Sequence, residues 1–250
     1  MKKALDKFSK QSSTYKKFRP TYPTELFDFI YSMCPNKTIA WDCGTGNGQV
    51  ALILAKSFLK VYATDISEKQ IQNAEQKENI FYSVERAEKT SFQSNSVDLI
   101  TVAQAVHWFD FIAFNKEAKR VLKPNGIIAI WGYGLLRINP KINELIDSFY
   151  TNTVEKYWNE ERKHIDNNYD SILFDFNEIK IAEKFQIQTN WTLKQLKGYF
   201  NSWSSVQNYM EQNNGNNPVN KLIEEISNEW KTDLLEIKFP IFMRIGYNKN

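Results

Sequence analysis

The segment from Ile39 to Gly48, Ile-Ala-Trp-Asp-Cys-Gly-Thr-Gly-Asn-Gly, constrains this chain more than any other. An apolar run ends on an acid, Asp42, and glycines then occupy positions 44, 46 and 48 before a segment with helical apolar spacing, 49–58. Glycine tolerates left-handed dihedrals and close approach of a ligand, and a helix start offers unpaired N–H groups. A strand, glycine loop and helix in this order predict a ligand site at the carboxyl edge of an open α/β sheet. A dinucleotide loop needs its third glycine where this chain has Gln49, and it lacks an acid at the place of Asp42. A P-loop is excluded because no Gly-Lys-Ser/Thr follows.

Strand and helix periods alternate through the first half. Strands are expected at 38–42, 60–64, 80–84, 97–103 and 127–133. Helices are expected at 49–58, after Ser67 (a capping box with Gln70), and at 110–122, with Lys123-Pro124-Asn125-Gly126 as a turn into the fifth strand. Asp65 closes the second strand, where a carboxylate can accept both hydroxyls of a ribose, a contact open to any adenosine cofactor. The rhythm then changes: helix over 139–166, strand over 179–190, and a Thr192–Gln195 capping box opening a helix that runs past Trp203. A polar loop at 212–217, a helix at 220–231 and a long strand at 236–248 complete the chain. The expected organisation is one domain over 1–250, with an N-terminal helical segment at 1–37 and a cofactor-binding core at 38–134. Cap insertions follow at 135–178 and 192–233, and final strands at 179–191 and 234–250.

Composition narrows the classes of partner. Lys and Arg number 32 against 29 Asp and Glu, and the lysines never form a basic block, so nucleic acid is not expected as a partner. Cys34 and Cys43 stand in no metal-ligand spacing, and no metal is expected. Residues 1–11 lack an apolar signal core, and no apolar run approaches the roughly 18 residues of a membrane span. The expectation is a cytoplasmic, membrane-free protein, monomeric or homodimeric.

Asp42-x-Gly44-x-Gly46-x-Gly48, Asp65 and Leu122-Lys123-Pro124-Asn125-Gly126 together resemble the class I S-adenosylmethionine-dependent methyltransferases. The resemblance implies a Rossmann-like α/β fold: a seven-stranded, mostly parallel sheet with an antiparallel last strand, here with a helical cap. It implies that Asp42, Gly44, Thr45 and Gly46 lie beside the methionine moiety and that Asp65 and Ile66 lie at the ribose. Ala87 and Glu88 would touch the adenine, and Gln104 would lie between the methionine moiety and the acceptor. A narrower likeness joins Tyr15-x-x-x-Arg19-Pro20-x-Tyr22-Pro23, the run from Ala103 to Asp110 containing His107-Trp108-Phe109-Asp110, the run from Ile128 to Tyr133 containing Trp131-Gly132-Tyr133, and Trp191-x-x-x-x-Leu196-x-Gly198-Tyr199-x-x-x-Trp203-Ser204. These resemble the trans-aconitate methyltransferase-like branch.

Tyr15 and Arg19 precede the first strand, where such a segment can close over the cofactor, and Arg19 could grip its carboxylate. His107 follows the fourth strand and is the candidate catalytic base, or a group that only holds that loop. Trp108, Trp131, Tyr133 and Arg137 are the candidate acceptor-binding residues, with Arg137 or Arg19 as cation for an acidic acceptor. Trp158 and Trp203 are expected in the cap, and His164 on the surface. The expected reaction is methyl transfer to a small molecule, by O-methylation of an organic acid. The alternatives are a nucleic-acid or protein methyltransferase, or a module that binds the cofactor without turnover.

Overall fold

A computed structural model describes residues 20–248. The order of elements is α1 (Thr24–Ser32), β1 (Ile39–Cys43), α2 (Gln49–Leu54), β2 (Lys60–Asp65), α3 (Glu68–Gln72), β3 (Ile80–Val84), β4 (Val97–Ala103), α4 (Phe111–Val121) and β5 (Leu122–Tyr133). There follow α5 (Pro140–Ser148), α6 (Arg162–Asp166), β6 (Asn177–Ile179), β7 (Phe185–Trp191), α7 (Leu193–Asn201), α8 (Ser204–Gln212), α9 (Val219–Ser227) and β8 (Leu235–Tyr247). The sheet runs β3-β2-β1-β4-β5-β8-β6, with β7 also paired to β8. Strands β1 to β5 pair in parallel, and β8 enters antiparallel beside β5. This is the Rossmann-like, mostly parallel sheet with an antiparallel last strand that the resemblance implied. Eight strands fill seven positions because β6 and β7 pair with successive stretches of β8.

Period-2 alternation explains why both faces of the sheet carry a core. Ala40, Leu99, Ile127, Ala129 and Trp131 face one way, against Leu26, Phe27 and Ile30 of α1 and Val50, Ala51 and Leu54 of α2. Trp41, Ile100, Val102, Ile128 and Ile130 face the other way, against Phe114, Ala118 and Val121 of α4 and against Ile165, Tyr169 and Ile172. A third cluster joins α5, α7, α8 and α9 to Ile187 of β7 and Ile237 and Phe239 of β8. Trp158 and Trp203 belong to that cap core, with ring centroids 5.4 Å apart.

Several sequence expectations are corrected by packing. The helix expected at 139–166 ends at Ser148 and passes through a π-turn, Phe149–Thr153, and a short 3-10 turn before α6. Val154 N–H donates to Phe149 O across five residues, which turns Phe149, Val154 and Tyr157 toward buried positions. The β-branched and polar run Thr151-Asn152-Thr153 holds an α-helix poorly and permits this shift. The strand expected at 179–190 is divided between β6 and β7. The turn at 123–126 is a bulge inside β5: Leu122 pairs with Val97 and Ile127 with Leu99, so four residues of β5 lie opposite one of β4. The helix expected to pass Trp203 stops at Asn201, and Trp203 begins α8. The Thr192–Gln195 capping box forms in both directions.

The parallel run brings the carboxyl ends of β1 to β5 to one edge, and the strand order reverses direction between β1 and β4. Open α/β sheets bind ligands at such a switch point.

Candidate active site

The loop after β1 is held in shape from its own chain and from β2. Gly44 and Thr45 N–H both donate to Thr64 O at 2.9 Å. Gly46 N–H donates to Asp65 Oδ2 at 2.8 Å, and Ser67 N–H to Asp65 Oδ1 at 2.9 Å. Each carboxylate oxygen of Asp65 therefore takes a backbone donor, which fixes the carboxylate at the end of β2. Gly46 sits at φ +56° with nothing within 4 Å of where a Cβ would stand, so the loop opens a cradle there.

Asp42 lies beneath the loop, 1% exposed. It accepts from Thr45 Oγ1 at 2.5 Å and from Thr101 Oγ1 of β4 at 2.9 Å. Burial pushes its carboxyl up from 3.8 to about 6, a rise that the two hydroxyl bonds oppose and the nearby Asp65 carboxylate reinforces. A cationic ligand favours the ionised form, so affinity for such a ligand is expected to increase as pH rises from about 5 to about 7. The folded chain by itself moves the opposite way: between about 4 and 6 it holds a proton that the unfolded chain has lost, so stability falls as pH rises through that window. Calorimetric titration with S-adenosylmethionine, the sulfonium cation that the resemblance implies, checks the first expectation across this range, and the dependence should disappear in Asp42→Asn.

A cavity of about 390 Å³ runs along the sheet edge, within the size range of small-ligand sites. Asp42, Gly44, Thr45, Gly46, Asp65, Ile66, Ala87, Glu88, Gln104, Trp108 and Tyr133 all line it, as do Tyr22, Ala105, Phe109 and Glu161. Among the described lining residues, Asp42, Asp65, Glu75, Glu85, Glu88 and Glu161 are acidic and Arg86 is the one cation. Arg86 pairs with Glu88 at 3.1 Å. An acidic cavity of this kind suits a cationic ligand.

The end near β4 and β5 is aromatic and holds an unmet acceptor. Gln104 adopts φ +53°, its N–H donates to Trp131 O at 2.9 Å, and its Oε1 is buried with no partner. A carboxamide oxygen buried in this way favours a ligand that brings a donor.

Three expected site residues lie elsewhere. His107 is 5% exposed and does not line the cavity; its Nδ1 lies 3.0 Å from the hydroxyl of Tyr169. Trp131 is fully buried beneath the edge, packed edge-on against Tyr22 and Phe27 at 5.6 and 6.0 Å, because those two rings cover its face of β5 one pleat in from the strand end. Arg137 lies beyond the cavity, its guanidinium donating to Asp147 at 2.6 Å. Tyr15 and Arg19 fall outside the described residues. His164 is half-buried against Phe111 rather than free on the surface. Of the expected cap segments, 135–178 brings Glu161 to the cavity and 192–233 brings no described lining residue. Glu161 and Thr101 carried no sequence signal as site residues. Thr101 could have been found from the strand pairing, which sets it opposite Asp42.

A family model described as a methyltransferase domain matches residues 41–130. A methyltransferase candidate of Dictyostelium discoideum is 38% identical over 247 residues, covering 95% of this chain and 93% of that protein. A probable S-adenosylmethionine-dependent methyltransferase of Saccharomyces cerevisiae is 24% identical, covering 81% and 82%. The structure of a type II methyltransferase candidate from Anaeromyxobacter dehalogenans superposes with a TM-score of 0.86 at 34% identity, covering 93% of this chain and 99% of that one. The doubly wound sheet, glycine loop and acid-closed second strand define an α/β enzyme built for an adenosine-bearing, cationic cofactor, and the open cradle at Gly46 and the acidic lining fit that group. The chain belongs to the S-adenosylmethionine-dependent methyltransferases, class I.

Proposed function

We propose that this enzyme methylates a small molecule held at the β4–β5 end of the cavity, with the adenosine of the cofactor at the β2–β3 end. The observation that carries this reading is the continuity of one cavity from Asp65 past the glycine loop to Gln104, Trp108 and Tyr133. Asp65 then accepts the ribose hydroxyls, with Ile66 beside the sugar. Ala87 and Glu88 flank the adenine, and Asp42 and Thr45 support the loop along the methionyl part. When bound, the sulfonium supplies an electrophilic methyl group for in-line displacement. The chain contributes alignment and exclusion of water: Trp108, Phe109 and Tyr133 provide an apolar wall, and Gln104 Oε1 orients a donor on either ligand.

The branch resembling trans-aconitate methyltransferases is supported by the way its motifs meet. Tyr22 packs on both Trp131 and Tyr133, with ring centroids at 5.6 and 6.4 Å. An organic acid as acceptor requires a cation at the aromatic end. Among the described residues Arg137 is committed to Asp147 and Arg86 to Glu88, so we assign the cation for that acceptor class to Arg19, which lies outside them. A neutral acceptor with a hydroxyl or amine needs no cation and can donate to Gln104.

Turnover with pooled metabolites, read as production of S-adenosylhomocysteine, tests the proposal. Methylation of a small molecule is expected. Binding of the cofactor without turnover on any pool supports a non-catalytic module instead. Arg137→Ala is expected to leave kcat/KM for the identified acceptor within about two-fold, as for a surface pair contributing little. A marked rise in KM for an acidic acceptor would restore Arg137 to the site.

A further inference from the structure

His107 and Tyr169 are buried beside the site without lining its cavity. His107 occupies the middle of the 3-10 turn Val106–Trp108, and the next residue, Trp108, lines the cavity. Tyr169 follows α6, the element that begins next to Glu161, which lines the same cavity. The two segments are remote in sequence, and the contact between His107 Nδ1 and the Tyr169 hydroxyl at 3.0 Å joins them directly.

The backbone around Tyr169 is strained where the chain leaves α6. Asn168 and Tyr169 are consecutive non-glycine residues at φ +51° and +65°, a conformation that persists only where surrounding contacts enforce it. Those contacts fix the aim of the ring. Tyr169 stacks on His107 with centroids 5.9 Å apart and meets the edge of Phe242 at 4.9 Å. Its carbonyl accepts from Arg244 Nη1 at 3.2 Å, and Ile172 O accepts from the same nitrogen at 2.7 Å. Gln104, at the start of the loop that His107 anchors, is strained as well.

We propose that His107 and Tyr169 form a positioning pair that sets Trp108 and Glu161 at the methionyl and acceptor end of the cavity. This rests on the layout proposed above, with adenosine at the Asp65 end. His107 acts through its neighbours and touches neither ligand, so it is not the base of the reaction.

Calorimetry on the full chain compares S-adenosylhomocysteine with adenosine, which lacks the homocysteine part. Tyr169→Phe keeps the ring and removes the hydroxyl; His107→Gln is the second variant, used also if the first fails to fold. Each is expected to weaken S-adenosylhomocysteine about five-fold, the worth of one hydrogen bond, with adenosine changed by less than about two-fold. The double variant should bind no more weakly than the singles, because both remove one contact. Equal losses for the two ligands, no loss for either, or additive losses in the double variant would each overturn the pair. If wild-type chain bound S-adenosylhomocysteine no better than adenosine, the cavity layout itself would fail, and the pair with it.

Discussion

Asp65→Ala is expected to lower affinity for S-adenosylhomocysteine about 10- to 150-fold in a chain that remains folded. The carboxylate closes β2 and already takes Gly46 and Ser67 N–H, one on each oxygen. Those bonds fix the plane of the carboxylate at the cavity wall. Hydrogen bonds to a charged group contribute about 1.5–3 kcal/mol, and 1.4 kcal/mol is a factor of ten. The loss has two sources: the ribose contacts go, and the glycine loop loses the tether that keeps Gly46 N–H in place. Asp65→Asn separates them in part, since the amide retains one acceptor oxygen but turns a donor toward another donor; its affinity should fall between alanine and wild type. Calorimetry gives the affinities and thermal melting the fold. Unchanged affinity in a folded Asp65→Ala chain would remove this residue from the ribose site.

The second large effect is on stability. Gly44→Ala should cost about 2–5 kcal/mol and Gly46→Ala only about 1–2. Both glycines have positive φ, +68° and +56°, and a left-handed residue with a Cβ costs about 1–2 kcal/mol. The difference lies in what the added carbon meets. At Gly44 it would stand 2.6 Å from Cβ of Ala105 and 3.4 Å from the ring of Phe109, and overpacking of this sort adds about 1–3 kcal/mol. At Gly46 it meets nothing but the cavity. For a chain of this length each kcal/mol moves the melting midpoint by roughly 2–4 °C, so Gly44→Ala should melt roughly 4–20 °C below wild type. Gly46→Ala should melt only slightly lower while losing cofactor affinity, because its methyl fills ligand space. Equal melting losses in the two variants would reject the contact with Ala105 as the cause.

The cofactor half of the site was legible because its residues are local. Asp42 and Asp65 lie at the ends of their strands, the glycines, Ala87, Glu88 and Gln104 follow theirs, and parallel strands deliver their carboxyl ends to one edge. Finding the strands therefore found the lining. The acceptor half was read less well for the same reason in reverse. Trp131 and Tyr133 share one face of β5; Tyr133, the last residue, reaches the cavity, whereas Trp131, two residues further in, is covered by Tyr22 and Phe27. Arg137 looked well placed by its distance along the chain, yet Asp147, ten residues on, claims it.

Taken alone, the sequence determined the α/β class, the places of the first five strands along the chain, the glycine loop and the acid that closes the second strand. Each depends on short-range constraints: period-2 burial, left-handed dihedrals that only glycine adopts freely, and a carboxylate at a strand end. Tertiary structure decided the division of β6 from β7, the π-turn that breaks the helix after Ser148, the arrival of Glu161 at the cavity and the partnership of His107 with Tyr169. These join residues far apart in the chain, or follow from competition among aromatic side chains for the same core, so no local pattern marks them. His107 shows the distinction most plainly. The sequence puts it next to Trp108, and only the tertiary structure pairs its ring with Tyr169 rather than with the cavity.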